Sequence, residues 1–152
     1  MDISYIQVSG NEIDIIKPLW KKLRDHHYGL SPHFADRYKE FKFEDRKREL
    51  LAKTEMNLLK IDIVKDEDTQ WLVGYCISSI SPGMVGEIDS IYLEENYRDL
   101  GIGDELMNRA LSWMDSNRVK FKRIVVAQGN EDLLTFYERY DFYPRHLVLE
   151  QK

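Results

Sequence analysis

Between Glu87 and Leu111 the chain runs EIDSIYLEENYRDLGIGDELMNRAL, and this stretch constrains the fold more than any other. Ile88 to Leu93 is apolar and β-branched enough to predict a strand. Glu94, Glu95 and Asn96 break it, and Arg98-Asp99-Leu100-Gly101-Ile102-Gly103 follows. Ile102, Leu106, Ala110 and Met114 then recur at helical spacing. Two glycines where a helix begins let the backbone come close to a ligand. The amides there have no partner within the helix and, with the helix dipole, favour an anion. Arg98 adds a positive charge at the loop entrance.

The rest of the chain alternates helical and strand patterns around this unit. Ile3 to Val8 reads as a first strand and Ser9-Gly10-Asn11 as a turn. Ile13, Ile16, Leu19, Trp20 and Leu23 mark one helical face, and Lys21, Lys22, Arg24 and Asp25 are assigned to its solvent side. Pro18 falls inside that pattern and must kink or restart the helix, because its nitrogen cannot donate to the preceding turn. His26-His27-Tyr28-Gly29 ends it. Ser31-Pro32 opens a second helical segment, rich in rings, with Phe34, Tyr38, Phe41 and Phe43. Leu59, Ile61 and Ile63 alternate with Lys60 and Asp62, as in a half-buried strand. Trp71 to Ile80 is the next strand, with Gly74 as a bulge or a close approach. Lys122 to Ala127 is expected as a short buried strand. Asn130 is expected to cap a helix from Glu131 to Tyr140, and Leu147 to Leu149 to form the last strand. Short turns between successive strands give antiparallel pairs, and the strand–helix–strand crossover from Glu87 to Ala127 gives a parallel one. By itself this pattern defines a mixed α/β sheet with helices on both sides.

Composition narrows the function. At 152 residues the chain is read as one domain, 1–152, with no linker or repeat. A net charge of −5 and no Lys/Arg run argue against a nucleic-acid partner. No apolar run reaches membrane-spanning length, and nothing resembles a signal peptide. The lone Cys76 excludes an internal disulfide and fits a reducing, cytoplasmic setting. The adjacent His26 and His27 point in different directions on a helix and have no acidic or Cys partners in a ligand set, so no metal site is expected.

Arg98-x-x-Gly101-x-Gly103 between a strand and a helix resembles the acetyl-CoA loop of GCN5-related N-acetyltransferases (GNAT). Asn130, then Phe136-Tyr137-Glu138, then Phe142, resembles the later signature of the same family, and the order of elements agrees over nearly the whole chain. The resemblance implies the GNAT fold: a mostly antiparallel mixed sheet whose two parallel strands splay apart, with the thioester cofactor in the opening and helices on both faces. It implies acetyl-CoA as cosubstrate and no metal. It places the pyrophosphate on the backbone of Asp99, Leu100, Gly101, Ile102, Gly103 and Asp104, beside Arg98. It places the pantetheine arm along Ile91, Tyr92 and Leu93, with Asn130 as a further cofactor contact. Leu133 stands where the family usually has a small residue, and Asp141 where it usually has glycine.

Acetyl transfer to an amine needs a base for the ammonium, a polarised thioester carbonyl and a proton for the departing thiolate. Glu87 and Asp89 are the base candidates, two apart on one strand and expected on one face. Their competing reading is a solvated charged strand face. Tyr137 matches the family's general acid, since a phenol is protonated at neutral pH. The alternative for it is a core tyrosine, and for Asn130 a simple helix cap. In the family the region after the first helix covers the acceptor pocket, so His27, Tyr28 and Phe34 are candidate acceptor contacts. The expected activity is acetyl-CoA-dependent acetylation of a primary amine on a small molecule. The alternatives are a protein lysine or N-terminal acetyltransferase and a non-catalytic CoA-binding module. A nucleoside-triphosphate site is excluded by the missing Gly-Lys-Ser/Thr ending. A homodimer is possible in this family, but no sequence signal fixes it.

Overall fold

In the computed structural model, which describes residues 1–55 and 58–152, the opening strand β1 (Ile3–Val8) sits at one edge of the sheet. After a 3-10 segment, α1 (Lys17–Leu30), α2 (Ala35–Glu40) and α3 (Phe43–Lys53) follow. The chain then lays down β2 (Leu59–Asp66), β3 (Trp71–Ser81) and β4 (Val85–Leu93). Next come α4 (Ile102–Ser116), β5 (Phe121–Ile124) and α5 (Leu133–Glu138). The sheet has five strands in the order β1-β2-β3-β4-β5. Its first three pairings are antiparallel and β4–β5 is parallel.

Period-two patterning sends alternate residues to two cores. Ile61, Ile63, Tyr75 and Ile77 pack against Ile13, Ile16, Leu19 and Trp20, with Phe43 and Leu50 of α3 closing that side. Val64, Val73, Cys76 and Ile88 pack against Ile102, Leu106, Met107, Ala110 and Met114 of α4, joined by Tyr137 of α5. Helices therefore cover both faces, and the α4 periodicity read from sequence is the stripe that meets the sheet. Truncating a fully buried member such as Leu106 costs about 2–5 kcal/mol by lost transfer energy and the cavity left behind.

Local expectations resolve in particular ways. Pro18 restarts the helix: the 3-10 turn over Gly10–Ile16 ends and the proline occupies the first turn of α1, where its missing N–H has no partner to lose. Ser31 Oγ accepts from the Phe34 amide at 3.1 Å and turns the chain toward α2. The ring-rich segment is two helices, split at Phe41 and Lys42. Gly74 is a close approach, because a Cβ there would stand 2.9 Å from the Tyr92 carbonyl oxygen.

Three expectations about the C-terminal third are corrected. β5 ends at Ile124 and lies at the sheet edge, with Phe121 66% exposed and Ile124 half-buried, and Val125 just beyond it is 67% exposed, so it is an edge strand rather than a buried one. The helix after Asn130 is shorter than expected and spans Leu133–Glu138. Asn130 meets it through its backbone carbonyl, which accepts from the Leu133 amide at 3.1 Å, and not through a side-chain cap. Leu147, Val148 and Leu149 form no strand and are nearly fully exposed. Their apolar run satisfies a strand pattern, but no neighbouring strand supplies the ladder that would hold it.

Candidate active site

β4 carries the site, and its pairing changes halfway along. On the β5 side the parallel register runs from Val85–Phe121 to Ile88–Ile124 and then stops. Among the described residues no strand pairs with 89–93 on that side, and their edge is open. On the β3 side the register shifts at the same point: Ser78 pairs with Ile88 and Ile77 with Ser90, leaving Asp89 as the extra residue of a β-bulge. Bulges re-aim side chains and end pairing.

Glu87 and Asp89 are brought together through Lys53, at the C-terminal end of α3. Its Nζ lies 2.5 Å from Asp89 Oδ1 and 3.2 Å from Glu87 Oε1. Glu87 has a second cation, Arg123 Nε at 3.0 Å. That contact follows from the parallel register, which sets Glu87 opposite Arg123. Asp89 differs. Its side chain is 1% exposed, and Oδ2 is buried without a hydrogen-bond partner among the described residues. The neighbouring buried Ser79 Oγ is likewise unpartnered. Burial holds the Asp89 carboxyl above the ordinary aspartate range, with Lys53 opposing the shift.

Asp89 and Ser90 floor a cavity of about 170 Å³. Its walls are the rings of Trp20, His27, Tyr38 and Phe41, with Leu23. His27 and Tyr38 stack with centroids 5.3 Å apart. Burial, with His26 nearby, lowers the His27 pKa and keeps the imidazole neutral at physiological pH. Arg24 and Arg46 complete the lining. Arg24 donates to the Phe41 carbonyl at 3.1 Å, and Arg46 to the Asp89 carbonyl at 2.8 Å. Of the acceptor candidates, His27 lies in this lining; Tyr28 is exposed on α1, and Phe34 carries the Arg37 guanidinium 4.6 Å from its ring. Arg24 belongs to the cavity wall rather than to the solvent side of its helix.

The glycine loop sits beyond the open half of β4. Asp99 and Gly101 have φ of 61° and 83°, the left-handed region, which glycine adopts without strain. A Cβ at Gly101 would meet no atom within 4 Å, and one at Gly103 would touch only the Phe136 ring, at 3.5 Å. The first backbone bond of α4 runs from the Glu105 amide to the Gly101 carbonyl at 3.1 Å. The amides of Ile102, Gly103 and Asp104 precede it and have no acceptor among the described residues, so they fit an anionic group such as a diphosphate. Leu100 is 56% exposed beside them. Arg98 bonds the Leu93 carbonyl at 2.9 Å and lies 5.8 Å from the Tyr92 ring, tying the loop to β4. Asp104 is turned away from a repulsive role, because it accepts from the Tyr140 phenol and pairs with Arg139 at 2.9 Å. Those contacts hold its carboxyl below the usual aspartate range.

Ile91 and Leu93 pack into the α4-side core, and Tyr92 packs on the opposite side. Tyr137 is 4% exposed in the α4-side core with Cys76 and Ile88, and no hydrogen bond joins its phenol to another described residue. Burial pushes that phenol pKa up, keeping the proton on it at neutral pH. Asn130 lies in the turn before α5, and Leu133 opens that helix, half-buried against the same core. Asp141 adopts φ 65°, the left-handed turn usually given to glycine. Lys53, Arg46, Arg123 and Arg139 were not singled out by sequence. Only the density of rings from Phe34 to Phe43 signalled the cavity.

A strand that leaves its parallel neighbour above an open-amide helix start is the geometry expected of an acyl-CoA transferase fold. A model of the Acetyltransferase (GNAT) family matches residues 20–142. The chain belongs to that family. An uncharacterized N-acetyltransferase of Methanocaldococcus jannaschii is 29% identical over 72 residues, 47% of this chain and 32% of that protein. The match thus spans about a third of that relative's length. Among solved structures, a protein described as an acetyl transferase from Pyrococcus furiosus has a TM-score of 0.75 at 24% identity, over 98% of this chain and 99% of that one. The aminoglycoside N-acetyltransferase AAC(6')-Iy in complex with CoA has a TM-score of 0.64 at 14% identity, over 99% and 94%. At these identities the two structures share the fold with this chain.

Among the described residues no group of His, Cys, Asp and Glu is arranged to hold a metal ion. No helix among them is long and apolar enough to cross a membrane.

Proposed function

We propose that the protein transfers an acetyl group from acetyl-CoA to the primary amine of a small molecule, with Asp89 as the base. One observation carries this reading: Asp89, whose carboxylate is buried with Oδ2 unpartnered among the described residues, belongs to the floor of a ring-walled cavity where β4 parts from β5. A cavity of about 170 Å³ is smaller than ordinary drug-sized pockets of roughly 300–1,000 Å³. That size favours a compact acceptor over a protein segment.

Acetyl-CoA, when bound, supplies the acetyl group as a thioester. The α4 amides with Arg98 are the residues that would hold its diphosphate, and the open edge at 89–93 would pair with its amide-bearing arm. Asp89 Oδ2 takes a proton from the acceptor ammonium, directly or through one water, so that the free amine can form the new C–N bond. A raised carboxyl pKa suits that task, since a stronger base accepts the proton more readily. Lys53 opposes that rise and favours the ionised carboxylate. Tyr137 Oη gives its proton to the sulfur as the C–S bond breaks, and its buried phenol stays protonated until then. Glu87, held between Lys53 and Arg123, positions Lys53 rather than taking the proton.

The test is turnover of acetyl-CoA, followed as thiol release, against a panel of primary amines. Release that depends on the amine in wild type and is lost in Asp89→Asn is the expected result. Acetyl-CoA that binds without amine-dependent release would instead identify a CoA-binding module.

A further inference from the structure

The acceptor cavity carries more positive charge than an amine-binding site needs. Arg24 and Arg46 both line it, each only about a quarter exposed at the side chain. The acidic partners of these guanidiniums lie in solvent. Asp25 is 69% exposed and 3.4 Å from Arg24, and Glu49 is 58% exposed and 3.3 Å from Arg46. Such solvated pairs neutralise little. Among the described lining residues Asp89 is the one acidic residue, and Lys53 already stands against its carboxylate at 2.5 Å. His27, the remaining basic side chain in the lining, is kept neutral by burial. The lining thus presents two guanidiniums, four rings and one carboxylate-bearing residue already paired with Lys53.

We infer that the acceptor is a compact amine that also carries a carboxylate, in the manner of an apolar α-amino acid, and not a polycation such as a polyamine or an aminoglycoside. The inference rests on the acetyl-transfer reading and names its substrate class. A planar guanidinium fork matches a carboxylate with paired hydrogen bonds. The Phe41 carbonyl and, more weakly, Asp25 hold Arg24, and the Asp89 carbonyl and Glu49 hold Arg46, which fixes the guanidinium planes; each guanidinium carries five N–H groups, more than these contacts use. The acceptor's ammonium is directed to Asp89 and its carboxylate to the arginines. An apolar side chain packs among Trp20, Tyr38 and Phe41. The cavity equals the liquid volume of roughly six waters, which suits a molecule of amino-acid size. A second or third ammonium on the acceptor would meet the guanidiniums at close range, where like charges repel.

The experiment compares phenylalanine and methionine with their carboxamides, with spermidine and with kanamycin. Each compound is measured twice on wild-type protein: as acceptor with acetyl-CoA, and by calorimetric binding in the presence of CoA, which needs no turnover. The free acids should bind and react best, by roughly ten- to a hundredfold over the carboxamides, the range for one or two hydrogen bonds to a charged group. Arg24→Gln and Arg46→Gln should raise KM for the acids more than for the carboxamides, so that the preference for the free acids shrinks. The comparison among ligands on wild type stands even if a variant folds poorly. Tighter binding or faster reaction of carboxamides, spermidine or kanamycin overturns the inference and leaves acetyl transfer intact. Binding of none of these compounds also overturns it. Binding of the acids without acetylation supports the recognition argued here and removes the transfer reading instead.

Discussion

The two halves of β4 hold nearly identical side chains in opposite electrostatic states. In the first half, pairing with β5 sets Glu87 opposite Arg123, and Lys53 adds a second cation. In the second half the parallel partner is gone, Asp89 bulges out of register, and Lys53 is the one cation paired with its carboxylate among the described residues. Glu87 is 16% exposed at its side chain and Asp89 1%. Pairing therefore produces a compensated structural carboxylate, whereas loss of pairing produces a desolvated one with a raised pKa. A single strand can thus hold one carboxylate compensated and another desolvated, by ending one ladder partway along.

Separating the two carboxylates is the sharpest way to break that comparison. Asp89→Asn should lower kcat by about 10²–10⁴-fold and remove the acid limb of the pH–rate profile. Glu87→Gln should lower it only a few-fold, by loosening Lys53. Equal losses in the two variants would erase the distinction drawn between the halves. The same Asp89→Asn change carries a stability signature. A carboxyl whose folded pKa is raised contributes stability below the ordinary aspartate pKa and loses it as pH rises through the folded value. Wild type should therefore lose melting temperature relative to the variant across that window, and thermal melts from acid to neutral pH read the difference.

Tyr137→Phe should cost roughly 10²-fold in kcat. Its ring stays in the core, so the melting temperature and acetyl-CoA affinity should hold. A core-only tyrosine would show the reverse, with lower stability and near-normal turnover. A smaller effect is expected at the loop beyond the open half of β4. Gly101→Ala forces a Cβ into the left-handed region at about 1–2 kcal/mol. If that strain falls on the bound form, acetyl-CoA affinity drops roughly 5- to 30-fold, visible as a reduced melting-temperature shift with cofactor. The smallest change belongs to Lys53→Met. Lys53 lowers the Asp89 pKa, so removing it should move the acid limb of kcat/KM to higher pH, with modest loss at alkaline pH. A limb that stays in place would show that Lys53 does not tune the base.

Much of this was legible in the chain. The run from Ile88 to Met114 predicts strand, loop and helix because the period of its apolar residues changes from two to about 3.6 within a few positions. The structure places β4 and α4 there. Gly101 marks the loop because glycine takes its left-handed backbone without strain. Leu147 to Leu149 misled for a physical reason: an apolar run describes what a strand would bury, not whether a partner strand lies beside it. Arg24 misled similarly. Its position around α1 suggests solvent, but α2 and the Phe41 carbonyl fold over it.

By itself the sequence determined the elements, the two-sided burial of the sheet and the glycine loop, since each depends on residues near one another in the chain. Only the tertiary structure decided which carboxylate is desolvated. Asp89 becomes the extra residue of a bulge only when β3 sets its register, and Glu87 meets Arg123 only when β5 pairs in parallel. The cavity depends in the same way on Arg24, Arg46 and Asp89, which lie far apart in the chain and meet only when α1 and α3 pack against the sheet. Charge compensation is a property of distance and burial, and neither exists until those elements close around β4.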